Sequence, residues 1–188
     1  TDPGVVPAAV LYVYRKEYQP PTVDEGFASV ETSKFVRVYD PTYTNKALIL
    51  DYDGCLRETI SGGKFPVDPA DVRILPRRTE ILREYEAKGY LLLGVSNQSG
   101  IAKGDLTEAT ARACFDRTNE LLGVKIDYSY CPHRVPPITC CCRKPGPGLG
   151  VQFIEKYKLD PRQCIFVGDM GTDKTFAARC GFKFFDSG

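Results

Sequence analysis

Apolar and polar positions settle into a regular rhythm only from Lys46 onward. Ala47-Leu48-Ile49-Leu50 is a continuous apolar run that stops at Asp51, the pattern of a strand buried on both faces. Tyr90–Val95, Ile126–Tyr130 and Cys164–Val167 predict three more strands, and Lys183–Phe185 a short last one. Between them the apolar residues recur at helical spacing. Ile74/Leu75, Ile81/Leu82 and Tyr85 predict a helix stopped by Gly89; Ala111, Phe115 and Leu122 predict another, capped by Thr107 and ended by Gly123. Leu149, Phe153 and Tyr157 mark a third helix, and Asp173–Arg179 a fourth. Strand and helix in alternation predict an α/β fold, a parallel sheet with helices on both faces. Ligands bind such sheets at the carboxyl ends of the strands, and those ends carry Asp51, Ser96 and Asp169. The chemistry belongs there.

Residues 1–45 read differently. They are rich in Tyr and Pro, and the alternation of Phe35-Val36-Arg37-Val38-Tyr39 predicts one edge strand. Thr22 is placed to cap a short helix through Asp24, Glu25 and Phe27, and Pro41–Asn45 reads as a linker. The chain therefore divides into an appendage, 1–45, and an α/β domain, 46–188. It opens on Thr1 rather than methionine, which predicts a piece of a longer protein.

Composition narrows the options. A chain of 188 residues with 43% hydrophobic residues builds a sizeable core, and 26% charged residues exclude a disordered tail. Twenty-five basic and 24 acidic residues give a net charge of +1, so no strong overall field draws it to nucleic acid or to a membrane. No apolar run approaches the roughly 18–20 residues that span a bilayer. Of the eight cysteines, Cys55, Cys114, Cys164 and Cys180 sit singly in apolar or helical settings, as buried free thiols do. Cys131, Cys140, Cys141 and Cys142 cluster instead, with the single histidine, His133, among them. That usage predicts a reducing, cytoplasmic compartment and a metal site.

Two carboxylates leave the first strand in Asp51-Tyr52-Asp53-Gly54. A carboxylate attacks phosphorus usefully when a cation neutralises the mutual repulsion, and a second one two residues on can protonate the leaving oxygen and then activate water. Asp169 ends another strand and Asp173 follows one helical turn later, so both can face the same cation. Magnesium suits a few carboxylates plus a substrate phosphate. Ser96, Asn97 and Lys144 supply donors for phosphoryl oxygens. In the cysteine loop, Cys131, His133, Cys140 and Cys142 match the Cys₃His composition of a closed structural zinc site, with Cys141 as the spectator. A disulfide such as Cys131–Cys142, or free thiols near a surface histidine, is the alternative. Bound zinc would brace the loop and fix where Arg143 and Lys144 point.

This set resembles the haloacid dehalogenase superfamily of phosphotransferases, over roughly Lys46 to Asp186. Its motifs are similar to Asp51-Tyr52-Asp53-Gly54, Ser96-Asn97, Lys144 and Gly168-Asp169 with Asp173. The resemblance implies a Rossmann-like haloacid dehalogenase fold, Asp51 as nucleophile and Asp53 as general acid and base. It also implies Mg²⁺ on Asp51, the Asp53 main-chain carbonyl and Asp169, with Asp173 beside them. Cys55 stands where the family usually has Thr. The short stretches after Gly54 and Ser96 leave no room for a large cap domain.

Two substrate classes compete within that family. Cys131-Pro132-His133, Cys140-Cys141-Cys142-Arg143-Lys144-Pro145 and Asn97–Ala102 resemble the zinc-bearing heptose 1,7-bisphosphate and histidinol-phosphate phosphatases. Ser61–Pro66 is similar to the phosphatase half of polynucleotide kinase–phosphatase, and Tyr14–Phe27 to the tail of its kinase half. The second resemblance explains more of the chain, so the sequence leans towards a nucleic-acid 3′-phosphate and a parent protein that carries a kinase domain. Arg57, Asn97, Gln98 and Arg143 are then candidates for substrate binding, with Lys64, Arg73 and Lys103 lining an open site. A non-catalytic scaffold, the third possibility, sits poorly with an intact Asp51, Asp53, Lys144 and Asp169.

Overall fold

The computed structural model describes residues 8–33, 36–135 and 140–187. The chain divides into two compact units, Thr1–Val38 and Tyr39–Gly188.

The first unit holds a helix that the sequence pattern missed, α1 (Ala8–Glu17), and a single 3-10 turn, Val23–Glu25. Thr22 starts that turn as expected: its N–H and its hydroxyl both donate to Glu25 Oε1, at 3.0 and 3.2 Å. The edge strand expected at 35–39 does not form over Val36–Tyr39, and Phe35 lies outside the described residues. An edge strand needs a neighbour to extend. Val36 and Val38 are instead 75% and 90% exposed, so the alternation has no sheet to serve.

In the second unit, β1 (Ala47–Leu50), β4 (Leu91–Asn97), β5 (Asp127–Cys131), β6 (Ile165–Gly168) and β7 (Lys183–Asp186) form a parallel sheet. Its order is β5-β4-β1-β6-β7, with β1 at the centre. Alternate residues of β1 feed two cores. Ala47 and Ile49 join Phe153, Phe166 and Phe176 under α5 (Gly148–Tyr157) and α6 (Gly171–Cys180). Leu48 and Leu50 join Leu82, Phe115 and Leu122 under α2 (Arg78–Ala87) and α4 (Glu108–Leu122). Each large side chain so buried contributes roughly 1.5–3 kcal/mol. Thr107 caps α4 by accepting the Thr110 N–H at 3.0 Å, and Gly123 closes it with φ +61°.

Two small elements precede α2. Strands β2 (Arg57–Thr59) and β3 (Val72–Ile74) make an antiparallel pair. Ile74 and Leu75, expected at the start of a helix, belong to this pair and its exit. Pro76 disfavours a helical Leu75, and Arg77 adopts φ +63° before the helix begins at Arg78. The other short piece is α3 (Ser99–Lys103), after β4. No large cap domain is inserted at either place. The expected linker 41–45 is tied to the end of α5, where Asn45 Nδ2 donates to the Tyr157 carbonyl at 2.7 Å. Among the described residues, no helix is long and apolar enough to cross a membrane.

Candidate active site

The carboxyl ends of β1, β4 and β6 open into a cavity of about 340 Å³ whose lining includes Asp51, Asp53, Ser96, Asn97, Lys144 and Asp169. Asp51 leaves β1 with its N–H on the Val167 carbonyl at 2.9 Å, so the central strand and β6 fix its backbone together. The chain must then turn sharply. Gly54 does so with φ +85°, and a Cβ there would lie 2.7 Å from Asp169 Oδ2. Gly168 serves Asp173 likewise, because a Cβ on it would meet that carboxylate at 2.6 Å. Both glycines let carboxylates converge.

Lys144 reaches into this acidic cluster. Its Nζ lies 2.7 Å from Asp51 Oδ1 and 2.8 Å from Asp173 Oδ1, and it donates to the Val95 carbonyl at 3.1 Å. The Asp173 contact is a close ion pair without the alignment of a hydrogen bond. Asn97 clamps the Lys144 backbone from both sides, accepting its N–H at 2.9 Å and donating to its carbonyl at 3.0 Å. Burial opposes the charge on Lys144, yet Asp51 and Asp173 outweigh it and hold the pKa above the ordinary lysine value. For Asp51 burial wins: despite Lys144, its carboxyl is pushed up to about 6. Carboxylate oxygens of Asp51, Asp169 and Asp173 lie within 4.8 Å of one another. Three carboxylates beside one ammonium leave the cluster short of positive charge. Hard oxygen donors so gathered fit Mg²⁺.

Asp53 is held apart from that cluster. Arg57 Nε donates to its Oδ1 at 2.8 Å, and Gln98 Nε2 donates to its Oδ2 at 3.0 Å. The sequence reading placed Arg57 and Gln98 on the substrate; in the structure both side chains turn to Asp53. Arg57 is 1% exposed, its Nη1 spent on the Cys114 carbonyl and Thr118 Oγ1, and Gln98 also donates to Ser96 Oγ. Of the other expected cations, Lys64 lines the cavity, whereas Arg73 pairs with Glu58 and neither Lys103 nor Arg143 lines it. Asn97 does line it, with its amide already engaged by Lys144. The polar grip of Arg57 has a sequence signal: Thr118 interrupts the apolar stripe Ala111–Phe115–Leu122 of α4, and a polar residue on a buried face needs a polar partner. Cys55, in place of the usual Thr, turns its thiol to the Val167 carbonyl at 3.6 Å, and burial pushes that thiol up to about 12.

The cysteine loop also converges. Cys131 ends β5; its Sγ lies 3.4 Å from His133 Nδ1 and 3.5 Å from Cys140 Sγ, while His133 Nδ1 lies 3.2 Å from Cys142 Sγ. The four ligand atoms all fall within 4.8 Å. Bond lengths of about 2.0–2.3 Å in a tetrahedral zinc site imply edges of about 3.5–3.8 Å, close to this spacing. All eight cysteines are free, so the Cys131–Cys142 bridge is not formed. Burial raises Cys131 and pushes Cys142 up to about 12, with the neighbouring sulfurs adding to the second. Burial acts on Cys140 too, but hydrogen bonds from the Arg143 N–H and the neighbouring thiols outweigh it and lower its pKa. One thiolate therefore forms first, and all three ionise together only beside a cation. Cys141 is exposed and outside the cluster.

A capless parallel sheet with convergent acids and a buried lysine at its carboxyl edge defines a phosphatase of the haloacid dehalogenase fold. Residues 46–186 match the family model described as polynucleotide kinase 3 phosphatase. The chain belongs to that family. A Thermoplasma volcanium protein named "Probable D-glycero-D-manno-heptose-1,7-bisphosphate 7-phosphatase" is 35% identical over 144 residues, covering 74% of this chain and 96% of its own. The solved D,D-heptose 1.7-bisphosphate phosphatase from B. bronchiseptica, complexed with magnesium and phosphate, superposes with a TM-score of 0.65 at 29% identity. That match covers 74% of this chain and 78% of the other. A chain of the Pnkp1/Rnl/Hen1 complex shares the fold at 14% identity, TM-score 0.55, over 97% of this chain and 61% of its own.

Proposed function

We propose that the domain, residues 46–188, hydrolyses a small sugar phosphate of the heptose 1,7-bisphosphate kind through a phosphorylated Asp51. The observation that carries the chemistry is the single cavity shared by Asp51, Lys144, Asp169 and the separately held Asp53. Asp51 attacks phosphorus, the bond to the leaving oxygen breaks, and Asp53 gives that oxygen its proton. Water then attacks the phosphorus, Asp53 takes its proton, and the bond to Asp51 breaks to release inorganic phosphate. Lys144 holds Asp51 and Asp173 in place, and Ser96 faces the phosphoryl oxygens. Magnesium, held by Asp51, the Asp53 carbonyl, Asp169 and Asp173, would neutralise charge on the carboxylates and the phosphate. Zinc on Cys131, His133, Cys140 and Cys142 would brace the loop ahead of Lys144. The boundary the sequence places at 45/46 falls inside the second compact unit, which begins at Tyr39.

Relatives named as heptose-bisphosphate phosphatases, matched over nearly the whole length of the Thermoplasma protein, support the sugar phosphate. They back it better than the nucleic-acid end towards which the sequence leans. The geometry supports the same reading: of the four cations expected to meet backbone phosphates, Arg57 is buried behind the adjoining cavity, Arg73 is paired, and only Lys64 lines the cavity that holds Asp51. A 3′-phosphorylated end is the second reading, favoured by the family model itself. The test is kcat/KM on heptose 1,7-bisphosphate against a 3′-phosphorylated oligonucleotide at two salt concentrations. The sugar is expected to win by more than about tenfold, roughly 1.4 kcal/mol, with little salt dependence. A preference for the oligonucleotide that falls steeply with salt reverses the assignment.

Metal binding should depend on pH. Because Asp51 holds its proton up to about 6, protons compete with magnesium below that pH. Calorimetric Mg²⁺ affinity is expected to be level between about pH 7 and 8 and to weaken about tenfold between about pH 6 and 5. Unchanged affinity across the acid range removes Asp51 from the ligand set.

A further inference from the structure

Asp53 is gripped from below by a residue that never reaches the cavity's phosphate end. The Arg57 side chain is 2% exposed and leaves Asp53 21% exposed. Its guanidinium carbon sits 5.2 Å from the Tyr52 ring centroid and 4.8 Å from that of Phe115, so two aromatic faces fix its plane. Nη1 is anchored to α4 through the Cys114 carbonyl at 2.8 Å and Thr118 Oγ1 at 3.0 Å. Nε, in that same rigid plane, is left to meet Asp53 Oδ1. Gln98 meets the other oxygen, and its second amide hydrogen is taken by Ser96 Oγ at 2.9 Å. Each carboxylate oxygen accepts one donor and keeps another lone pair for the proton that moves.

We propose that Arg57, assisted by Gln98, is a positioning residue that aims the Asp53 carboxyl at the leaving oxygen. This rests on the role of Asp53 as general acid and base given above. A second cavity, of about 270 Å³, adjoins the first and shares Asp53, Gly54, Lys64 and Phe65 with it. Asp53 thus stands where phosphate and alcohol part, and small errors in its direction cost proton transfer. A buried guanidinium with three fixed contacts is a stiffer support than solvent or a surface lysine. Arg57 backs the wall of the second cavity but is only 1% exposed, so its effect on the reaction runs through Asp53.

Leaving groups of graded basicity test this. The probes are 2,4-dinitrophenyl, p-nitrophenyl and phenyl phosphate, and kcat/KM on each reports steps up to phosphorylation of Asp51. Arg57→Met fills the slot between the rings without a donor. It is expected to lose at least about tenfold more on phenyl phosphate than on the dinitrophenyl ester, whose leaving group needs no proton. Arg57→Lys should recover part of that difference, and Gln98→Leu should show the same slope more weakly. Melting curves identify any variant that fails to fold; the slope of Gln98→Leu then decides. Equal losses on all three esters, or none, overturn the proposal. Asp53→Asn is the reference: if it shows no such slope, the acid–base role of Asp53 fails, whereas a slope confined to Asp53→Asn sinks the positioning role alone.

Discussion

Asp51→Asn is expected to remove turnover by at least about 10⁴-fold, roughly 5.5 kcal/mol, because the nucleophile is lost and nothing nearby replaces it. Asp53 is held by Arg57 and Gln98, and Asp173 by Lys144 and the Met170 N–H, so neither is free to take over. Asp169, the remaining carboxylate of the cavity, is committed to the proposed magnesium. Intact-mass measurement after rapid acid quench should find a phosphate adduct on the wild-type protein and none on the variant. The fold should stand. Burial raises Asp51 from 3.8 to about 6, so its contribution to stability is fully present below about pH 4 and is lost as pH rises through about 6. At neutral pH the wild type carries that cost and the amide does not. Against this, Lys144 loses one of its two carboxylates while Asp173 remains at 2.8 Å. The two effects oppose each other, so the melting temperature should move by only a few degrees. Hydrolysis of p-nitrophenyl phosphate by the folded variant at near wild-type rate would end the Asp51 mechanism. Asp53→Asn should lose less, about 10²–10⁴-fold, since it removes proton transfer and leaves the nucleophile in place.

The apolar rhythm from Lys46 made the sheet readable because its central strands, β1 and most of β4, are buried on both faces and leave continuous runs such as Ala47–Leu50. Site residues were legible for a related reason: a polar residue ending such a run has no role in the core, which singles out Asp51, Ser96 and Asp169. Short elements were not legible. Strands β2 and β3 are three residues each, too short for a period, and their pairing is set by contacts distant in sequence. Ile74 therefore passed for the first apolar position of α2. Helix α1 lay hidden because Ala8–Tyr14 is apolar without a polar break, which leaves no helical period to count, and its described side chains are exposed. Arg57 misled for another reason. A cation four residues from a carboxylate near a phosphate site reads as a substrate contact, and only the third dimension shows Tyr52, Phe115 and Thr118 closing over it.

Loss of the proposed zinc should be felt in stability more than in rate. Protein purified without added zinc is expected to carry about one equivalent, and Cys141→Ser should keep it, since Cys141 is exposed and its carbonyl, not its sulfur, accepts the Gly148 N–H at 2.9 Å. Cys140→Ser removes one of four ligands and should lose the metal, leaving buried Cys131 beside an unneutralised cluster. A closed site whose ligands come from two chain segments stabilises by cross-linking them, so a drop in melting temperature of roughly 5 °C or more is expected. The catalytic effect should be smaller, about tenfold in kcat. Lys144 follows the cluster directly in sequence, yet Asn97 clamps its backbone from both sides, and Asp51, Asp173 and the Val95 carbonyl hold its ammonium. Those contacts survive without zinc, and what the loop loses is the fixed approach of the chain into them. Sub-stoichiometric metal in the wild type together with missing free thiols would replace the zinc site by a disulfide. A fall in activity as deep as that of Asp51→Asn, at unchanged melting temperature, would instead move the metal from bracing the loop to the reaction itself.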